Sequence, residues 1–186
     1  MRNSDYFTNY FSHLHNRLQT ADANDLKEAT QLALKTNQQK RKIIVVGNGG
    51  SAAMASHVTV DFTKSAGIRA VNFNEADLLT CFANDYGYEN WVAKSMEFFA
   101  DEGDFVILIS SSGQSPNILN GAKKAREMNL PLMTLSGFKV DNPLKTMGNI
   151  NLWVDSTVYN IVEMTHHVWL LAIIDYLIEE NRRMFE

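Results

Sequence analysis

The stretch IIVVGNGGSAAMASH, residues 43–57, runs from four aliphatic residues through three glycines into a series of small side chains. A short β-rich run ended by glycine reads as a buried strand, and the small residues after it as a helix start. The design returns in FVILISSSGQSPN, residues 105–117, where an apolar strand breaks into serines, a glycine and a proline. Strands of this kind alternating with helices argue for a parallel sheet covered on both faces.

The rest of the chain supplies that alternation. Tyr6, Phe7, Tyr10, Phe11, Leu14 and Leu18 recur at helical spacing and give a first helix with one broad aromatic face. A second helix is expected from Asp25, with Glu28 completing a capping box, as far as Gln38. Strands are expected at 42–46, 69–73, 105–109, 132–135 and 150–154, and further helices at 52–64, 90–100, 116–128 and 158–180. The reading is one α/β domain over residues 1–186, opened by a helical pair.

Composition narrows the function. With 45% hydrophobic residues in 186, the chain can bury a substantial core. Its formal charge of −4, without a basic run, gives no electrostatic reason to expect nucleic acid as a direct ligand. One cysteine, Cys81, excludes an intrachain disulfide and suits a reducing compartment. The amphipathic N-terminus lacks the apolar core of a signal peptide, and the run VWLLAII is too short for a membrane span. A cytoplasmic protein with no membrane partner is expected.

Both glycine- and serine-rich turns fall at carboxyl ends of strands, where open α/β sheets hold their ligands. Ser115 takes the N-cap position and Pro116 the first helical one. Ser110, Ser111 and Ser112 then offer hydroxyls beside free backbone N–H groups, an uncharged phosphate cradle. Gly47, Gly49 and Ala52, with Glu75 further on, also satisfy a dinucleotide fingerprint. Two helices precede that strand, however, and a dinucleotide reading leaves the serine turn without a role.

Three segments in order, GNGGSAAMASH, CFANDYGYEN and ISSSGQSPNIL, together resemble the sugar isomerase (SIS) domain family. The likeness is to the branch of phosphoheptose isomerase and the DnaA-initiator-associating protein. It covers nearly the whole chain, including NIVEMTHHVWLLAIIDYLIE near the end. The resemblance implies a five-stranded parallel, flavodoxin-like sheet and a homotetramer. It implies a sugar phosphate held by Ser51, Ser110, Ser111, Ser112 and Ser115 beside Gly49 and Gly50, with Asn48, Asn84 and Asp85 near the sugar. The family's isomerases use a glutamate base and a histidine acid, and some bind zinc through those two, a second histidine and a glutamine.

Laid on this sequence, the second histidine is His57 and the glutamate position holds Asp61. Aligned through Glu163, the glutamine position is Val162 and the acid position Leu170, which can neither ligate a metal nor transfer a proton. His166 and His167, one turn earlier, are the substitutes for the acid. The expectation is a phosphosugar ketose–aldose isomerase with Asp61 as base and His166 or His167 as acid. No cofactor is expected; if zinc binds, His57 and Asp61 are the ligands that remain. The alternative is a non-catalytic module that senses a sugar phosphate or contacts a protein such as DnaA.

Overall fold

Three aliphatic runs build the centre of the sheet. In the computed structural model, which describes residues 3–183, strands β1 (Ile43–Gly47), β3 (Phe105–Ser110) and β4 (Leu132–Ser136) are buried at every position. The edges are β2 (Ala70–Val71) and β5 (Ile150–Trp153), the latter alternating buried and half-buried residues. All five strands are parallel, in the order β2-β1-β3-β4-β5. Strand β2 is shorter than expected because it pairs only Ala70 and Val71 with Ile43 and Ile44.

Strand alternation divides the core into two layers. Ile43, Val45, Ile107, Ile109 and Leu135 face helices α2 (Ala23–Gln38), α3 (Gly50–Lys64) and α7 (Tyr159–Arg183). Ile44, Val46, Val106 and Leu108 face α5 (Trp91–Phe99) and α6 (Pro116–Glu127), where Trp91, Met96 and Ile118 fill the space. Helix α7 is long and apolar enough over Tyr159–Glu180 to meet the length and composition of a membrane span. Half of that stretch is buried inside the fold, where Val162, Leu170, Ile174 and Leu177 join the core layer against the sheet.

Three local features differ from expectation. Helix α2 is capped by Asp22, whose Oδ1 accepts from the Asn24 N–H at 2.8 Å, so the Asp25–Glu28 box is not the cap. A helix not anticipated from the sequence, α4 (Ala76–Tyr86), buries no residue fully and ends at Gly87, φ +85°. Its apolar residues Leu78, Leu79 and Phe82 pack against the α5–α6 layer from outside. Helix α3 starts at Gly50, two residues before the expected start at Ala52, with Gly49 at its N-cap in a positive-φ conformation.

Helix α1 (Asn3–Leu18) lies along α7, where the Trp169 indole N–H donates to the Leu18 carbonyl at 2.9 Å. No described side chain of α1 is fully buried, and Tyr6, Phe7 and Phe11 are 59%, 59% and 64% exposed. Of the apolar face read from the sequence, Tyr6, Phe7 and Phe11 are uncovered within one chain, while Tyr10, Leu14 and Leu18 are half-buried.

Candidate active site

The strand order reverses between β1 and β3, and the loops after these two strands face each other across that point. Ligands of open α/β sheets bind in this crevice. A cavity of about 260 Å³ occupies it. One wall is Asn48–Ser51 at the start of α3, the other Ser110–Ser112 and Ser115 ahead of α6, and Tyr159 and Glu163 of α7 close a third side. An apolar groove of about 320 Å³ between α2 and α7 is larger, but Leu26, Ile173 and Tyr176 offer it little polar chemistry.

Two open helix ends point into the crevice. Neither α3 nor α6 has a side-chain cap, so their first N–H groups are left to a ligand or to water. Ser115 sits at the N-cap of α6 and Pro116 at its first turn, as the sequence implies. The Ser115 hydroxyl, however, bonds the Ser110 hydroxyl at 3.0 Å instead of the helix. Ser112 Oγ accepts from the Gln114 N–H at 3.2 Å. Ser111 is only 6% exposed, and its hydroxyl has no partner among the described residues. A buried hydroxyl left unsatisfied costs about 1–3 kcal/mol, and a bound phosphate oxygen would remove that cost.

Asn48 lines the same cavity and spans its two walls. Its amide exchanges two hydrogen bonds with that of Asn117, at 3.0 and 2.9 Å, and accepts from the Tyr88 hydroxyl at 3.3 Å. Asn84 and Asp85 do not line the cavity. They lie exposed on the last turn of α4, where the Asn84 amide donates to Asp85 at 2.9 Å. Tyr88 is what reaches the crevice from that segment. Tyr159 and Glu163 also line the cavity, which sequence reasoning alone does not indicate. Their signal is a tyrosine and a carboxylate one turn apart at the start of an otherwise apolar helix.

The titratable cluster stands beyond the cradle, on the α3–α7 contact. His57 Nε2 is 3.3 Å from the Asp61 carboxylate, and His57 Nδ1 is 2.9 Å from His167 Nε2. Both ring nitrogens of His57 are thus engaged. If Nε2–H faces Asp61, then Nδ1 accepts from the His167 Nε2–H, and His167 Nδ1 carries the lone pair. Partial burial, followed by the nearby His57, pushes the His167 pKa down, while Asp61 opposes them.

The adjacent histidine is placed quite differently. His166 is fully buried, its Nε2 2.9 Å from the Ser136 carbonyl and its Nδ1 without a partner among the described residues. With Nε2–H donating, the ring is neutral, and burial lowers its pKa from 6.5 to about 4. The unfolded chain takes up this proton as pH falls through about 6.5, whereas the native state resists until about 4. Stability should therefore fall across that window by ~3 kcal/mol in total, with no His166 contribution above it. Urea midpoints of wild type and His166→Gln at pH 7 and pH 4.5 check this. The wild type should lose about 2–3 kcal/mol more than the variant between the two pH values; equal losses would contradict a buried neutral ring.

The zinc set implied by the resemblance does not fit the residues present. Val162 and Leu170 are fully buried in the apolar layer against the sheet. Among the described residues, no three histidine, cysteine or carboxylate side chains are arranged to hold a metal ion.

An open parallel sheet with a serine- and glycine-lined cavity at its switch point defines a doubly wound α/β protein. The chain belongs to the SIS domain family, whose model matches residues 6–137. It is 32% identical over 163 residues to a phosphoheptose isomerase of Helicobacter pylori, covering 84% of this chain and 83% of that one. The phosphoheptose isomerase structures from Francisella tularensis and Neisseria gonorrhoeae superimpose with TM-scores of 0.85 and 0.84. Their identities are 23% and 24%; the matches cover 96% and 95% of this chain and 100% and 97% of theirs. The fold expected from the sequence is the fold found.

Proposed function

We propose that the protein is a phosphosugar ketose–aldose isomerase that acts on a heptulose phosphate, converting sedoheptulose 7-phosphate into an aldoheptose phosphate. The observation that carries this reading is the cavity at the switch point, where two uncapped helix ends and the unpartnered Ser111 hydroxyl converge. The phosphoheptose isomerase relatives supply the substrate class. The phosphate sits in the serine cradle, and the carbon chain extends along α3 and α7. At 1.5 Å per residue, His57 stands roughly 10 Å down the α3 axis from Gly50. That is the scale of a seven-carbon chain reaching from its phosphate to the carbonyl end.

Isomerisation moves a proton between adjacent carbons through an enediol, so it needs one group for carbon and others for the oxygens. Asp61 is the base that takes the carbon proton, and the His57–His167 pair carries protons to and from the two oxygens. His166 has no part in the transfer, because its one N–H is held by Ser136. The reaction proceeds without a metal in this reading, and protein purified without added metal should contain far less than one zinc per chain. Stoichiometric zinc that disappears in His57→Ala would contradict it.

Incubating the protein with a panel of ketose and aldose phosphates and following their interconversion tests the assignment. Turnover is expected on a heptulose 7-phosphate. A second reading, a sugar-phosphate sensor without catalysis, is favoured by one observation, the apolar Val162 and Leu170 at the family's glutamine and histidine positions. Saturable binding with no turnover of any sugar would select it.

The reading also includes a cytoplasmic homotetramer. Large contiguous apolar patches are rarely left bare on a monomer, and Tyr6, Phe7 and Phe11 on α1 form such a patch. Light scattering should give an oligomer at micromolar concentration, and Phe7→Glu with Phe11→Glu should shift it toward monomer. A stable wild-type monomer would overturn this part of the account.

A further inference from the structure

Helix ends provide the cavity's positive potential, since no lysine, arginine or histidine lines it among the described residues. Each helix N-terminus is equivalent to roughly half a unit charge, so α3 and α6 together offer about one. Glu163 opposes them. Its carboxylate lies over Gly50, the first residue of α3, so closely that a methyl group there would collide with it. No ion pair compensates it among the described residues. The cavity therefore has a neutral, hydroxyl-rich wall at Ser110–Ser115 and a negative one at Glu163.

We infer that Glu163 restricts this cavity to sugars that carry a single phosphate on an otherwise uncharged chain. The inference rests on the sugar-phosphate reading above and names the ligands that reading should exclude. A single phosphate can sit against the serine wall, within reach of both helix ends. A second anionic group at the far end of the chain extends along α7, past the Glu163 carboxylate and toward Asp61, and no lysine or arginine among the described residues lines the cavity to offset them. Bisphosphates and sugar-acid phosphates are therefore turned away by charge. A side chain at position 50 would displace the Glu163 carboxylate from this wall.

The experiment is titration calorimetry with sedoheptulose 7-phosphate, sedoheptulose 1,7-bisphosphate and 6-phosphogluconate. The proteins are the wild type, Glu163→Gln and Glu163→Asp. One extra charge at the cavity's dimensions is worth on the order of tenfold in affinity. Wild type should prefer the monophosphate over both other probes by at least that factor. Glu163→Gln should bring the ratios toward one, and Glu163→Asp should keep them. Without any variant, raising the salt concentration should compress the wild-type ratios, since the discrimination is electrostatic. Binding of sedoheptulose 7-phosphate with ratios unchanged in Glu163→Gln, or insensitive to salt, overturns the role of Glu163 alone. Failure of every probe to bind the wild type overturns the sugar-phosphate reading and this inference with it.

Discussion

Asp61→Asn is expected to slow isomerisation by about 10² to 10⁴, the usual share of general acid–base catalysis. The amide keeps the shape of the carboxylate and removes its basicity. It also replaces the acceptor 3.3 Å from His57 Nε2, which orients that ring toward His167. In the proposed binding mode the phosphate lies at the other end of the substrate and is untouched, so the loss should fall on kcat with KM little changed. A change of KM alone would mean that Asp61 only binds the sugar. His167→Gln should lower kcat as well, while His166→Gln should act mainly on stability. Steady-state kinetics on the three variants separate these outcomes, and full activity in all of them would eliminate the mechanism.

The second large effect is on binding. Replacing Ser112 and Ser115 by alanine removes two hydroxyls from the cradle and frees Ser110, which bonds Ser115 in the unliganded site. Neither residue packs in the core, so the fold should persist. A ligand that binds only the native state raises the melting temperature, by about 2.7 kcal/mol of stabilisation at one hundred times its Kd. The wild type should show that shift with sedoheptulose 7-phosphate, and the double variant should lose most of it. A full shift in the variant would place the phosphate elsewhere.

The two loops were legible because their chemistry is local. A strand that ends in glycine or serine and feeds a helix places backbone N–H groups at a predictable spot, whatever surrounds it. The edge elements were harder. Strand β2 contributes only two paired residues, and α4 packs from outside without burying a side chain fully, so neither has the strong apolar signature of the centre. The two histidines show the limit most clearly. His166 and His167 are adjacent in sequence, yet the 100° step between neighbours on a helix turns one toward the Ser136 carbonyl in the core and the other toward His57. The place of Glu163 over Gly50 depends on how α7 crosses α3, which no local sequence pattern carries. Asn84 and Asp85 follow from the family resemblance, and the fold leaves them paired with each other on the last turn of α4, outside the cavity.

Solvent exchange into a bound sugar tests the central claim most directly. The protein is incubated in deuterium oxide with sedoheptulose 7-phosphate, and deuterium at the carbon beside the carbonyl is followed by NMR alongside product. Enediol formation predicts incorporation at that carbon, at a rate at least equal to turnover where the base exchanges with solvent, and strongly reduced in Asp61→Asn. Saturable binding of the sugar with neither exchange nor turnover would contradict the account, leaving a phosphosugar-binding protein that does no chemistry.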